Sequence, residues 1–132
     1  MEIDNSRLFT EKDALARHLG IKVLEIKPGY ARATMPVKQE LLNGVDVTHG
    51  GAIFGLADVV FAAASNSHGP VALALNVSIN FLKTTGVGDV LTATAREENL
   101  TRKTGLYRME VSDQNGEAVA LAEGMVYRRS GG

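Results

Sequence analysis

The sequence contains no cysteine. Disulfides, thiolate metal ligands and a cysteine nucleophile are therefore excluded, and the composition suits a reducing compartment, so a cytoplasmic location is expected. The first residues, MEIDNSRLFTEKD, lack the apolar core of a secretory signal. Long hydrophobic runs are missing too: the most apolar window, residues 50–64, is too short to span a bilayer and is interrupted by three glycines and Asp58. Neither sign of charge dominates, since 14 Lys and Arg stand against 15 Asp and Glu. A net charge of -1 gives no general attraction to nucleic acid or to an anionic membrane. The three histidines, at 18, 49 and 68, fall at no ligand spacing. No metal site is expected, and His18 and His68 read as surface residues.

What is present is an ordinary globular composition, 45% hydrophobic and 22% charged over 132 residues, enough for one domain and short for two. A single domain over residues 1–132 is expected, with 1–9 and 129–132 as tails. Thr10, Glu11 and Asp13 form a helix-start pattern that Gly20 closes, which predicts a helix over 11–19 with Ala14, Leu15 and Leu19 inward. Extended segments at 21–27 and 30–37 are split by Pro28-Gly29, a tight-turn pair. Residues 38–48 have no clean period and read as loop. From Leu73 to Leu82 the chain alternates, with Leu73, Leu75, Val77, Ile79 and Phe81 on one face. Weaker strands follow at 90–97, 106–113 and 118–127, the last two joined by a turn at Gln114-Asn115-Gly116-Glu117 whose Asn-Gly pair suits type I′. The order implies an α+β domain in which an antiparallel sheet wraps one long apolar helix.

That helix, GGAIFGLADVVFAAAS from Gly50 to Ser65, carries the candidate chemistry. A carboxylate among glycine, alanine and aliphatic residues needs partners or a function, because desolvating it costs several kcal/mol. On a helical wheel Gly51, Gly55, Asp58, Ala62 and Ser65 share one stripe, flanked by Phe54 and Phe61, while Ile53, Leu56, Val60 and Ala64 lie opposite. The small stripe admits a close approach by another backbone or a slender ligand, with Gly55 as its mark. Thr48-His49-Gly50-Gly51 opens the helix and leaves backbone donors bare. Eight residues at a rise of about 1.5 Å put Gly50 and Asp58 roughly 12 Å apart, too far to act on one carbonyl. If both serve one reaction they come from two subunits, which implies a homodimer with two composite sites. A lone structural Asp, paired or capped, is the plainer alternative.

The run Leu42-Asn43-Gly44, then Thr48 to Asp58, then Asn66-Ser67-His68-Gly69, resembles the hotdog-fold thioesterases of the phenylacetate-degradation type. Further likeness lies in Ile79-Asn80-Phe81-Leu82, Gly88 to Ala93, Thr104-Gly105-Leu106-Tyr107, and Gly124 with Tyr127-Arg128. It extends from about Leu19 to Arg128. The resemblance implies a hotdog fold, a long helix wrapped by an antiparallel sheet, working as a dimer that often pairs into a homotetramer. It implies that Asp58 is nucleophile or general base, aimed across the interface at a thioester carbon, and that the Gly50 N–H polarises the thioester oxygen. Asn43 matches a position that orients water or braces the carboxylate, and His49 one that fixes the loop presenting Gly50; a purely capping histidine is the alternative. Where some relatives carry a hydroxyl to hold the water, this sequence has Ala74.

The implied reaction is hydrolysis of an acyl-CoA without metal or organic cofactor. Its substrate contacts are expected from Gly51, Phe54 and Phe61 around the acyl group, and from Arg102, Lys103 and Thr104, with Lys83 next, around the coenzyme A phosphates. Aryl- or hydroxyaryl-acetyl groups and short or medium chains all remain open. So do a non-hydrolytic acyl-CoA sensor and an enoyl-CoA hydratase on the same fold, although a sensor would not need Asp58 and a hydratase would need an Asp/His pair.

Overall fold

A computed structural model describes residues 11–129. The first described helix, α1 (Ala14–Leu19), starts later than the sequence pattern implies. Its N-cap is Asp13, whose carboxylate accepts from the Ala16 N–H at 3.0 Å; Thr10 lies outside the described residues. Ala16 is its buried residue and Leu19 packs against the core, whereas Ala14 and Leu15, expected inward, are exposed. Gly20 ends it in the left-handed region, at φ 78°.

Strands β1 (Lys22–Lys27) and β2 (Tyr30–Pro36) form a hairpin whose two-residue turn places Gly29 at φ 73° after Pro28, as a type II turn requires. A single 3₁₀ turn at Gln39–Leu41 and a loop lead to helix α2 (Gly50–Ser65). Then come β3 (Ala72–Phe81), β4 (Val90–Leu100), β5 (Thr104–Ser112) and β6 (Ala118–Arg128), all antiparallel in the order β1-β2-β4-β5-β6-β3. β6 takes in Arg128, and Arg129 N–H donates to Val71 O at 2.8 Å, so the expected tail begins later. The β5–β6 turn is not type I′: only Gly116 has positive φ, and the Asp113 carboxylate holds the N–H groups of Asn115 and Glu117.

α2 crosses the sheet's inner face. Small residues set its height: Ala31 pairs with Ala95 and Ala33 with Ala93, all fully buried. Leu56 and Val60 fill the space above them, each burial contributing about 1.5–3 kcal/mol. Phe61 drives into the sheet, where a Cβ on Gly124 would lie 2.6 Å from its Cζ, and meets Tyr107 edge-on at 5.9 Å. At the far end buried Asn66 clips the helix to β3: its amide donates to Ala62 O and Ala72 O and accepts from Ala72 N–H.

The alternation expected along residues 73–82 is broken by a bulge between Ala74 and Asn76. Val77, Ile79 and Phe81 stay on the side of the buried β6 positions, whereas Leu73 pairs with exposed Tyr127 on the outer face. One inserted residue flips everything on one side of it. Among the described residues no helix is long and apolar enough to cross a membrane.

Candidate functional site

The start of α2 is built so that one amide stays open. Leu42 and Thr48 bridge, closing a loop in which Asn43 Oδ1 accepts from the N–H groups of Val45 (3.0 Å) and Val47 (3.3 Å). His49 N–H then donates to Leu41 O at 2.7 Å, and Thr48 is tied to Thr85. At the helix itself, His49 Nδ1 accepts from Gly51 N–H at 2.8 Å, and His49 O accepts from the N–H groups of Ala52 and Ile53. Of the four orphan amides of this N-terminus, three have partners within the chain and Gly50 N–H has none among the described residues. A donor left bare at the positive end of a 16-residue helix dipole suits a developing oxyanion.

The His49 side chain is thus a helix cap, and its contact with the loop is made by its backbone N–H. Gly51 is exposed, but its N–H is committed to His49, which leaves only its surface to a substrate. Asn43 spends its carbonyl on the loop, and its Nδ2 has no hydrogen-bond partner among the described residues.

Asp58 lies on the open side of α2. The partly or fully open stripe is Gly51, Phe54, Asp58 and Ala62. Gly55 and Ser65, expected on it, are buried: the close approach at Gly55 is the Leu19 side chain of α1, 2.8 Å from a Cβ built there, and Ser65 bonds back to Ala62 O. The Asp58 carboxylate has no hydrogen-bond or ion-pair partner among the described residues. Burial pushes its pKa above the ordinary 3.8, and the negative charge of Asp13 on α1 pushes the same way. Phe54 is half-buried beside it, a wall for an apolar group, whereas Phe61 is sealed into the core and lines nothing.

The cations divide. Lys83 Nζ is held by Asp113 at 2.5 Å and Glu117 at 2.9 Å, bonds that raise its pKa and lower that of Asp113. It is a structural brace, contrary to the phosphate contact expected from sequence. Arg102 and Lys103 stand exposed in the β4–β5 turn, which Thr101 and Thr104 shape through a 2.8 Å hydroxyl pair. That turn adjoins Arg128, which pairs with Ala72 at the beginning of β3, while Gly50 adjoins Phe81 at its end. Nine residues of strand, roughly 30 Å, separate the two. In one chain they do not make one site.

His68 is not the surface residue expected. Its Nε2 sits 2.6 Å from Glu97, which also accepts from the buried Tyr107 hydroxyl at 2.9 Å. Sequence reasoning also passed over Phe81, whose ring lies on Gly50, and Asp13, which faces Asp58 electrostatically. The glycine at 50 was the available hint of a close aromatic; nothing local pointed to Asp13.

Residues 46–120 match the sequence profile of the Thioesterase superfamily. A protein of Archaeoglobus fulgidus named provisionally as an esterase is 50% identical over 89% of this chain and 77% of its own length. The acyl-coenzyme A thioesterase PaaI of Escherichia coli is 41% identical over 96% of this chain and 91% of its own. The solved structure of that protein, from the phenylacetic acid degradation operon, superposes with a TM-score of 0.91 over 95% of this chain and 91% of that one. A Streptococcus mutans structure bound to acetyl CoA is 30% identical, with a TM-score of 0.80 over 83% of this chain and 89% of that one.

Proposed function

Since this chain belongs to the thioesterase superfamily and has its hotdog fold, we propose that it is an acyl-CoA thioesterase whose working site is shared by two chains. The observation that carries this reading is the pairing, on one helix, of an uncommitted N–H at Gly50 with an unpartnered carboxylate at Asp58, about 12 Å further along. Neither can serve the other's carbonyl within a chain. Brought together across a two-fold axis, they form an oxyanion donor and a base or nucleophile around one thioester.

The unpaired edge of β3 supports that axis. It is an outermost strand with Leu73, Leu75 and Phe81 exposed, and two such strands laid antiparallel would set the beginning of one against the end of the other. Arg102 and Lys103 of one chain would then lie toward Gly50 of its partner, where coenzyme A phosphates need cations. Pairing of such dimers into a tetramer, and a cytoplasmic location for this cysteine-free chain, belong to the same reading.

In the reaction the Gly50 N–H takes up charge developing on the thioester oxygen. The partner's Asp58 either attacks the carbonyl carbon, giving a mixed anhydride that water then hydrolyses, or draws a proton from the attacking water; the coenzyme A thiolate leaves in both cases. Asn43 Nδ2, free to donate, braces the carboxylate. Phe54 and Phe81 suit an aryl-acetyl or short acyl group.

Thiol release from a panel of acyl-CoAs tests hydrolysis against the sensor and hydratase alternatives, since neither alternative frees the thiol. Mixing tests the shared site. Gly50→Pro removes the donor at a first helical position that accepts proline, and Asp58→Asn removes the carboxylate. Each variant alone should keep at most about 1% of wild-type activity, whereas co-refolded chains should regain about a quarter of it, because half the dimers then hold one intact site. No recovery in verified mixed dimers would place both groups in one chain and reject the shared site. Single turnover in labelled water, followed by the mass of the Asp58 peptide, separates nucleophile from base.

A further inference from the structure

We propose that Thr85 is a positioning residue for the oxyanion donor, acting on Gly50 through Thr48; this rests on the hydrolase reading above. Thr85 lies in the loop between β3 and β4, where neighbouring Thr84, Val87 and Gly88 are exposed, yet it is itself only 6% exposed. Its hydroxyl is 2.6 Å from that of Thr48, 37 residues earlier and 5% exposed, and its carbonyl accepts from Thr48 N–H at 2.9 Å. A buried hydroxyl pair on top of a backbone bond holds residue 48 at two points.

Residue 48 is where such a hold affects chemistry. The Gly50 N–H belongs to the peptide that follows His49, whose backbone is extended at φ -63° and ψ 133°. Among the described residues, the ring and carbonyl of His49 are tied only to the helix they cap. Thr48 is the neighbouring residue, and its side-chain anchor is Thr85. The loop bearing Thr85 is fixed in turn: Lys83 is braced by Asp113 and Glu117, Leu82 N–H donates to Val119 O, and Asp89 is held by Gly86 N–H and Gln114. The β5–β6 turn thereby supports the helix start at the position where a small tilt would misaim a hydrogen bond to a reacting oxygen.

The geometry predicts a loss confined to turnover. Thr85→Val keeps shape and the backbone bond but leaves the Thr48 hydroxyl unpaired. It should lower kcat about 10-fold with KM within about twofold of wild type, because the donor matters most as charge develops. Thr85→Ser should recover most of that loss. Thr48→Val should match Thr85→Val, and the double variant, which leaves neither hydroxyl stranded, should be no slower than either and remains testable if a single variant folds poorly. In the Gly50→Pro background Thr85→Val should change the residual rate little, since the aimed group is gone. Wild-type kcat in Thr85→Val, fully additive losses, or an undiminished effect in the Gly50→Pro background would each overturn the proposal. Wild-type protein is assayed for thiol release in the same series: no release rejects the hydrolase reading, whereas release with an unaffected Thr85→Val rejects only the positioning role.

Discussion

The ring of Phe81 lies so close over Gly50 that a Cβ on residue 50 would sit 3.3 Å from its Cζ. Glycine at the helix start therefore does two things. It leaves an amide free, and it lets an aromatic ring from the edge strand lie beside that amide.

The two roles can be separated. Gly50→Ala keeps the N–H and adds only the methyl that crowds Phe81, so a loss within about 10-fold is expected, with the helix no less stable because alanine is favoured over glycine by up to about 1 kcal/mol. Gly50→Pro deletes the donor and is expected to lose about 100- to 1000-fold in kcat. Combining Gly50→Ala with Phe81→Leu should restore rate, and steady-state kinetics on the three variants checks the order.

Asp58→Asn is expected to lower kcat by about 100-fold or more while substrate still binds. It should also make the protein more stable near neutral pH. A carboxyl whose pKa is raised by folding holds its proton more tightly in the folded chain, so the ionised form disfavours the fold above that raised value. The variant's gain in Tm should therefore be present at about pH 7 and vanish below the ordinary carboxyl value. Thermal melts across pH decide it.

Asp13 offers a way to move the pH profile without touching the site. Asn caps a helix as well as Asp does, so Asp13→Asn keeps the bond to Ala16 N–H, leaves the burial that is the larger cause of the raised Asp58 pKa, and removes the charge that adds to it. The acid limb of kcat/KM, where ionised Asp58 is lost, should shift to lower pH. An unmoved limb would show that another group controls it.

Arg102→Ala and Lys103→Ala are each expected to raise KM for acyl-CoA about 3- to 10-fold, with a weaker effect at high salt. Lys83→Met should leave KM unchanged and lower thermal stability, because its ammonium is already spent on Asp113 and Glu117. KM and melting curves on the three variants distinguish substrate contact from brace.

Sequence was informative wherever periodicity or a turn pair recorded the local geometry. Helix α2, the hairpin at Pro28-Gly29 and the bare donors at the start of α2 could all be read that way, whereas Gly50 itself was singled out by the family resemblance. It was uninformative where one residue's fate depends on a distant partner. The bulge beside Leu75 leaves the pattern from Leu73 to Phe81 perfectly alternating, and only the pairing with β6 shows that Leu73 faces outward. Phe61 and Phe54 are alike on a wheel, and what separates them is the empty space above Gly124. Lys83 looked free because its carboxylates lie 30 and 34 residues away. The buried hydroxyl of Thr85 sits in a stretch that otherwise reads as exposed loop.

The sheet's two borders differ in a way that limits growth. β1 carries Lys22, Glu25 and Lys27 and is kinked between Val23 and Glu25, so the border it forms discourages another strand. β3 holds no charged side chain from Ala72 to Phe81. In the proposed dimer, two chains joined through β3 would present the charged β1 at both outer limits, and the propagation that leads to a fibre would have nowhere to continue.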